Sequence, residues 1–254
     1  MSKRLTTILS IAGSDPTGGA GIQADIRVGD FLGIHVLTAI TAVTAQNSKG
    51  ISKLGILPPS MLIDQFYAVM EDVIPDAIKI GMIGSIENAL VIDRFLSSVS
   101  PDIPVVIDPV LSASADQNHL FSYENILDTY KNNLFPRATV ITPNQDEAPF
   151  VLSCKDLNAV ILKGGHKSGE IIEDKLLIKG KTLSFTHPKL SCQNLHGTGC
   201  VFSTLLACFL ASGNSVEDAF YRASEEMTGI ISRSDEYLLG RSKYGPLNIN
   251  NYKL

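Results

Sequence analysis

The fold is decided by a stretch near the start of the chain, residues 6–25, which reads TTILSIAGSDPTGGAGIQAD. Its first eight residues are rich in apolar and β-branched side chains, the pattern of a strand buried on both faces of a parallel sheet. Four glycines and a proline then predict a loop, and the segment continues as a helix that carries Asp25. Strand, loop and helix in this order form the first half of a parallel crossover unit.

The same alternation of apolar runs and helical patterns continues along the chain. Further strands are predicted at 35–45, 76–83, 104–111, 138–144 and 159–165. One helix is predicted where apolar residues recur on one helical face, at Leu62, Phe66, Val69 and Val73. Two further helices are predicted at 200–211 and 215–232. Repeated units of this kind imply right-handed crossovers and a three-layer α/β/α sandwich around a mostly parallel sheet.

Two segments depart from this alternation. Residues 173–190 predict a small antiparallel edge hairpin with its turn at Gly180 and Lys181. The tail, residues 242–254, is polar and predicts irregular structure. Because no repeat or linker interrupts the chain, residues 1–254 are predicted to form a single domain.

Composition and charge exclude several classes of protein. Lys and Arg total 21 against 26 Asp and Glu, a net charge of −5 with no basic run, so a nucleic-acid partner is not expected. The four cysteines show no metal-site or disulfide spacing, which predicts free thiols in a reducing cytoplasm. No apolar stretch is long enough to span a membrane. The start resembles a secretory signal, but its apolar run is short and broken by Thr6, Thr7 and Ser10, so a strand is predicted.

Residues with chemical potential cluster where the predicted strands end. Ligands of open α/β sheets bind at the carboxyl ends of the strands. The residues at these ends are Gly13 and Asp15, Gln46 and Asn47, Met82, Asp108 and Pro109, Asn144, and Gly164 and Gly165.

The motif HGTGC, residues 196–200, joins a glycine loop to an apolar helix. Backbone N–H groups at such a helix start bind phosphate and stabilise charge during phosphoryl transfer. The same field favours a thiolate at Cys200. A glycine turn into a buried helix, with cysteine as a small core residue, explains the pentapeptide equally well. Cys208 lies within the apolar run and is predicted to be core.

Three further motifs each have a structural and a functional interpretation. The loop of residues 12–25 matches neither the dinucleotide fingerprint nor a Walker A loop, although its glycines let backbone approach a ligand closely. Asn144 and Glu147 have the spacing of a capping box, and Glu147 could also hold Mg²⁺. Lys163 is either a solvated strand end or a point charge for phosphate. His166 and His196 are interpreted as loop residues that support the site.

Together these motifs resemble one family. AGSDPTGGAGIQAD, TAQNSKGI, KIGMIGS, VVIDPVL, ITPNQDEA, LKGGH and HGTGC occur in the order found in the hydroxymethylpyrimidine/phosphomethylpyrimidine kinases of thiamine biosynthesis. These are ribokinase-like proteins, and the resemblance covers residues 5–232. It implies a ribokinase-like sandwich that uses ATP and Mg²⁺ to phosphorylate 4-amino-5-hydroxymethyl-2-methylpyrimidine and then its monophosphate. Relatives often form dimers, which makes a homodimer the expectation here.

The resemblance also implies roles for particular positions. Cys200, as the base, and the backbone of Gly197 and Gly199 would be catalytic. The substrate ring would contact Gly13, Asp25, Gln46, Met82 and Val110. The nucleotide would lie near Asn144, Lys163, Gly165 and Thr198. Mg²⁺ would be held near Asp108 and Glu147.

The chain departs from the family pattern in two places, and two alternatives follow. The helical insert between Glu147 and Lys163 is short, and residues 112–120 lack the usual lysine- and glycine-containing loop. A pyridoxine or pyridoxal kinase is the nearest alternative, since its substrate is also a flat ring with a hydroxymethyl group. The carboxamide of Gln46 favours the pyrimidine, because it can pair with an aminopyrimidine edge. A pyrimidine-binding protein without catalysis is the second alternative.

Overall fold

The computed structural model describes residues 4–47, 50–111, 126–164, 170–192, 194–234 and 245–250. Within these residues one nine-stranded sheet has the order β3-β2-β1-β4-β5-β6-β7-β8-β9. The strands are β1 Thr7–Ser14, β2 His35–Asn47, β3 Gly50–Ile56, β4 Ala77–Ile80, β5 Val105–Ile107, β6 Val140–Ile141, β7 Ala159–Leu162, β8 Ile171–Ile178 and β9 Lys181–Pro188. The six strands from β2 to β7 in this order are parallel, which confirms the predicted sheet.

Helices cover both faces of the sheet. They are α1 Gly21–Leu32, α2 Pro59–Asp72, α3 Ile86–Ser98, α4 Leu127–Thr129, α5 Ala148–Ser153, α6 Thr198–Ala211 and α7 Val216–Arg233. After α4 the chain continues as a π-helical turn, Tyr130–Leu134, and a 3₁₀ turn, Phe135–Arg137. One apolar core contains residues of α1, α6 and α7, and the other contains residues of α2, α3 and α5. This three-layer arrangement is the predicted α/β/α sandwich.

Helix α6 is the most deeply enclosed helix of the fold. Ten consecutive residues, 201–210, are buried, including the predicted core residue Cys208. A helix that is apolar on all sides is stable only when it is covered on all sides. Helices α1 and α7 and strands β1, β4 and β5 provide this cover. The first turn of α6 is thereby held at the carboxyl edge of the central strands.

The structure corrects several details of the predicted elements. Strand β3 was not predicted, and it pairs antiparallel with β2 at one edge of the sheet. The other edge is the predicted hairpin, but β8 begins at Ile171 and the turn residues are Lys179 and Gly180, not Gly180 and Lys181. The described part of the tail, residues 245–250, has no helix or strand, as predicted, but Leu247 and Ile249 are fully buried in the core. Among the described residues, no helix has both the length and the apolar character needed to cross a bilayer.

Candidate active site

The loops that follow the parallel strands meet the first turn of α6 at one edge of the sheet. Gly199, the second residue of α6, is the point of closest approach. A methyl group in place of its hydrogen would lie 3.4 Å from Asp108 Oδ2 and 3.7 Å from Lys163 Nζ. Asp108 follows β5 and Lys163 follows β7, so three predicted site residues from distant parts of the sequence do come together.

Two glycine loops form the wall beside this point. Gly197 has φ +86°, a left-handed conformation that favours glycine. A side chain at Gly197 would collide with the carbonyl oxygen of Gly19, so the backbones of the two loops are in direct contact. The motif at 196–200 and the glycine loop after β1 therefore form a single unit.

Asp15 organises the glycine loop after β1. Its carboxylate accepts hydrogen bonds from the backbone N–H of Thr17 and of Ala20, each at 2.9 Å, and from the Thr17 hydroxyl. It also lies 2.8 Å from His196 Nε2. Burial acts to raise the pKa of Asp15, but the hydrogen bonds to His196 and Thr17 outweigh burial and lower it. His196 thus has a carboxylate partner, which the sequence had not indicated.

Three of the predicted ring-binding residues, Gly13, Met82 and Gln46, lie around these loops. The methyl end of Met82 packs so closely on Gly13 that a side chain at Gly13 would displace it. Gln46, near the end of β2, is partly exposed, and its amide nitrogen lies 3.2 Å from His196 Nε2. The N–H of Val110 donates to the Asp108 carbonyl at 2.8 Å, which folds the chain back at the end of β5. Gly13, Met82, Gln46 and Val110 are all compatible with a ring pocket at this edge.

Asp25 is placed differently from expectation, because it lies beneath the site. It is fully buried and forms an ion pair with Lys79, whose Nζ lies 2.9 and 3.1 Å from its two oxygens. The hydroxyls of Ser10 and Thr204 also donate to it, at 2.5 and 2.7 Å. Since every one of these partners belongs to the protein interior, Asp25 supports the site from below and does not line it.

Lys79 is a functional candidate that sequence reasoning missed. Its signal was a lysine inside the apolar strand β4, AIKI, where a buried charge requires a partner. Burial alone would lower the pKa of Lys79, but the negative charge of Asp25, with a smaller contribution from Asp108, outweighs burial and raises it. The lysine is therefore a permanent cation beneath the first turn of α6.

Cys200 lies in this first turn and is partly buried. Burial raises the pKa of the Cys200 thiol to about 11, and the charges of Asp108 and Asp25 add to this rise. The charge of Lys79 and a hydrogen bond from the Gly21 N–H act in the opposite direction. The expectation of a thiol pKa lowered by the helix start is therefore wrong for the unliganded protein. Desolvation, reinforced by the charges of Asp108 and Asp25, accounts for the raised pKa of this thiol.

Glu147 and Asn144 form the predicted capping box. The N–H of Asn144 donates to Glu147 Oε2, and the N–H of Glu147 donates to Asn144 Oδ1, each at 2.9 Å. Glu147 Oε1 also accepts from the N–H of Leu111 at 3.0 Å. Burial and then the charge of Asp108 raise the pKa of Glu147 to about 7, against the opposing effects of these hydrogen bonds and of Lys163. The structural and functional interpretations of this motif therefore do not exclude each other.

The carboxylates fit a magnesium site that is completed by phosphate. Asp108 is buried, and its charge adds to the pKa shift of Glu147, so two buried carboxylates repel each other here. A cation would relieve that repulsion. Within the described ranges no group of three or more His, Cys, Asp or Glu could hold a metal alone. Mg²⁺ usually binds through one or two carboxylates plus substrate phosphates and water, which these two residues would allow.

Lys163 and Gly164 form the far side of the site. Lys163 Nζ lies 5.9 Å from the centroid of the Phe202 ring. The N–H of Gly164 donates to Asp174 Oδ1 at 2.7 Å, and the charge of Lys163 also acts on Asp174. Asp174 on β8 is a second residue that the sequence did not reveal; burial raises its pKa, opposed by this hydrogen bond. Gly165, His166 and residues 112–120 lie outside the described residues.

Thr198 is the first residue of α6 and is partly exposed at the site. Its N–H donates to the Leu195 carbonyl at 3.4 Å, a long bond at the limit of the normal range. A cleft of about 880 Å³ elsewhere includes Arg4, Thr7 and His35. This cleft lies at the amino ends of β1 and β2, whereas the site lies at the carboxyl ends of the strands. It contains none of the predicted site residues.

The protein has the fold and site of a ribokinase-like small-molecule kinase. Its mostly parallel sheet lies between helices, and a glycine-lined helix start, a lysine and two carboxylates lie at the carboxyl ends of the strands. Solved structures agree with this class. Pyridoxal kinase from Staphylococcus aureus in complex with AMP-PCP superposes with TM-score 0.85 at 26% identity, covering 98% of this chain and 95% of that one. Phosphomethylpyrimidine kinase from Clostridium difficile 630 superposes with TM-score 0.74 at 30% identity, covering 88% and 98%.

Sequence comparison identifies the family. The family model described as phosphomethylpyrimidine kinase matches residues 15–248. The hydroxymethylpyrimidine/phosphomethylpyrimidine kinase of Bacillus subtilis is 36% identical over 259 residues, covering 94% of this chain and 93% of that protein. The chain therefore belongs to the phosphomethylpyrimidine kinase family. It spans about half, 52%, of the thiamine biosynthesis bifunctional protein of Geobacter sulfurreducens, at 34% identity over 95% of this chain.

Proposed function

We propose that this protein transfers the γ-phosphoryl group of ATP to the hydroxymethyl group of 4-amino-5-hydroxymethyl-2-methylpyrimidine, and then phosphorylates the monophosphate to the diphosphate. The observation that carries the proposal is the meeting of the α6 start with Asp108 and Lys163 at Gly199. Backbone N–H groups and a cation converge there with carboxylates, as transfer of a phosphoryl group requires. The names of the relatives supply the substrate.

Each group at this edge has a part in the proposed reaction. The backbone of Gly197 to Cys200 binds the transferring phosphoryl group, and Lys163 neutralises phosphate charge. Asn144 and Thr198 are proposed to contact the nucleotide, and the sequence assigns the same role to Gly165, which lies outside the described residues. Asp108 and Glu147 would hold Mg²⁺, which supplies charge neutralisation at the phosphates when bound.

Cys200 is proposed to accept the proton of the substrate hydroxyl. The hydroxyl oxygen forms a bond to the γ-phosphorus, the bond from this phosphorus to the bridging oxygen breaks, and ADP leaves. Because the pKa of Cys200 is about 11, the thiolate is a minor form near neutral pH. Turnover is therefore expected to rise with pH above 7. Phosphoryl transfer depends mainly on positioning and charge stabilisation, so a base that is mostly protonated near neutral pH can still serve.

The test is ADP release by the purified protein with Mg²⁺ and ATP, using the pyrimidine, its monophosphate, pyridoxal or no substrate. We expect release with both pyrimidine species. Cys200→Ala is expected to reduce turnover by about 100-fold or more while the affinity for ATP stays constant. Cys208→Ala, two turns along the same helix, is the matched control and should affect only stability. Unchanged turnover in Cys200→Ala would reject this residue as the base.

Pyridoxal phosphorylation is a second candidate function. It is favoured by one observation, the higher TM-score with the pyridoxal kinase than with the phosphomethylpyrimidine kinase, 0.85 against 0.74. ADP release with pyridoxal alone would select it. Tight pyrimidine binding with no ADP release would instead indicate a binding protein. We also propose a cytoplasmic location, supported by four cysteines that form no disulfide, and a single-domain homodimer, supported by the likeness to this family.

A further inference from the structure

Three residues from separate segments of the chain meet at one nitrogen atom, His196 Nε2, beside the proposed ring pocket. His196 Nε2 lies 2.8 Å from Asp15 Oδ2 and 3.2 Å from the amide nitrogen of Gln46. A single imidazole nitrogen has either a hydrogen or a lone pair in the ring plane. It therefore cannot donate to Asp15 and accept from Gln46 at the same time. The contact that fixes the position of the hydrogen also determines which atom of the other partner faces Nε2.

The contact with Asp15 determines whether His196 Nε2 carries a hydrogen. The other partners of the Asp15 carboxylate are all donors, namely the N–H groups of Thr17 and Ala20 and the Thr17 hydroxyl. These donors and His196 stabilise the ionised carboxylate, which has a lowered pKa. An ionised carboxylate only accepts hydrogen bonds, so His196 Nε2 must carry the hydrogen. This holds for the neutral ring and for the imidazolium alike.

The hydrogen on His196 fixes the orientation of the Gln46 amide. Because Nε2 presents a hydrogen and no lone pair, the Gln46 atom nearest to it must be the amide oxygen, and a half-turn of the amide brings it there. This oxygen shares the Nε2 hydrogen with Asp15 as the longer arm of a three-centre hydrogen bond. The amide nitrogen then takes the place now held by the oxygen, 3.4 Å from the Thr44 hydroxyl. That hydroxyl donates its own hydrogen to the Ser14 carbonyl at 3.0 Å, so it can accept one from Gln46. One amide hydrogen of Gln46 then has the Thr44 hydroxyl as its acceptor, and the second stays available to a ligand.

We propose that His196, held by Asp15, is a positioning residue that sets the donor and acceptor order of the Gln46 amide and thereby the substrate ring that the pocket accepts. This inference rests on the proposed function, in which Gln46 binds the ring. The amide oxygen keeps one lone pair and the amide nitrogen keeps one hydrogen. Such an edge matches a ring that presents an amino group beside a ring nitrogen, as the aminopyrimidine does. The fixed order admits that ring in one orientation, which directs its hydroxymethyl group consistently.

The first arm of the test reads the hydrogen on His196 directly. Nitrogen-15 NMR of the full-length protein without substrate, with His196 assigned from the signal that His196→Gln loses, is expected to show a protonated Nε2. A neutral ring with its hydrogen on Nδ1 would overturn the proposal. This measurement needs no substrate, so its result stands even where the pyrimidine is not phosphorylated and the proposed function fails.

The second arm separates ring recognition from folding. His196→Leu is expected to raise the KM for the pyrimidine by roughly tenfold, with the KM for ATP unchanged. It should also lower the preference for the aminopyrimidine over 5-hydroxymethyl-2-methylpyrimidine, which lacks the amino group. His196→Gln, which keeps an N–H donor of similar reach, should stay within about threefold of the wild type. Thermal unfolding of each variant shows whether the fold is intact.

A double-mutant cycle completes the test. Gln46→Ala should raise the pyrimidine KM less in the His196→Leu background than in the wild type, because the orientation of the amide has already been lost there. Independent, multiplicative effects of the two substitutions would show that His196 does not act through Gln46. Equal rises in the pyrimidine and ATP KM values would likewise reject the role in ring recognition.

Discussion

Replacement of Lys79 by methionine is expected to destabilise the protein strongly, because it leaves Asp25 buried without its counter-charge. Both side chains are fully buried, and their closest atoms lie 2.9 Å apart. At an effective dielectric constant of about 20, two unit charges at this distance attract each other by roughly 6 kcal/mol. Breaking a buried pair from one side costs about 3–5 kcal/mol in practice. The hydroxyls of Ser10 and Thr204 remain to bind the carboxylate, but neither carries a charge.

The assay is urea and thermal unfolding at neutral pH. For a chain of 254 residues, a loss of 3–5 kcal/mol lowers Tm by roughly 10 °C. Lys175→Met is the matched control, since Lys175 pairs with Glu173 while 38% of each side chain is exposed. That substitution should cost less than about 1 kcal/mol. The double variant Lys79→Met with Asp25→Leu should regain most of the loss, because no uncompensated charge is left.

Two outcomes would refute this reasoning. If Lys79→Met cost no more than Lys175→Met, the buried pair would have no special weight. If the double variant were as unstable as Lys79→Met alone, the loss would come from packing and not from the charge of Asp25.

The remaining predictions concern the glycine loops and the capping box. Gly197→Ala should destabilise the protein by several kcal/mol more than Gly213→Ala. Both glycines have a left-handed φ, +86° and +83°, but only a side chain at Gly197 would collide with the Gly19 carbonyl. Equal losses of stability in urea unfolding would contradict this close contact. For the metal-free protein, the pKa of Glu147 is raised to about 7, so the folded state holds a proton that the unfolded state releases near pH 4.5. The stability from this group is present below pH 4.5 and is lost as the pH rises to about 7, by about 3 kcal/mol. Glu147→Gln should abolish that decline, and an unchanged decline would mean that Glu147 does not cause it.

The sequence determined the elements whose signal is local. The buried strand at 7–14, the helix around Leu62 and Phe66, and the apolar helix after residue 197 each follow from periodicity and punctuation within a few residues. The capping box of Asn144 and Glu147 could be predicted for the same reason, since its partners are three residues apart. The edge of the sheet where the site lies also followed, because parallel strands bring their carboxyl ends together.

Only the tertiary structure decided which charges meet. Lys79 and Asp25 are 54 residues apart, and His196 and Asp15 are 181 apart. No pattern within the chain pairs such residues, since the sheet order and the docking of α6 bring them together. The same burial reversed the expected shift of the Cys200 pKa, because desolvation and neighbouring charge depend on what surrounds a thiol. Residue type and local order thus fixed the framework, whereas long-range packing set the electrostatics of the site.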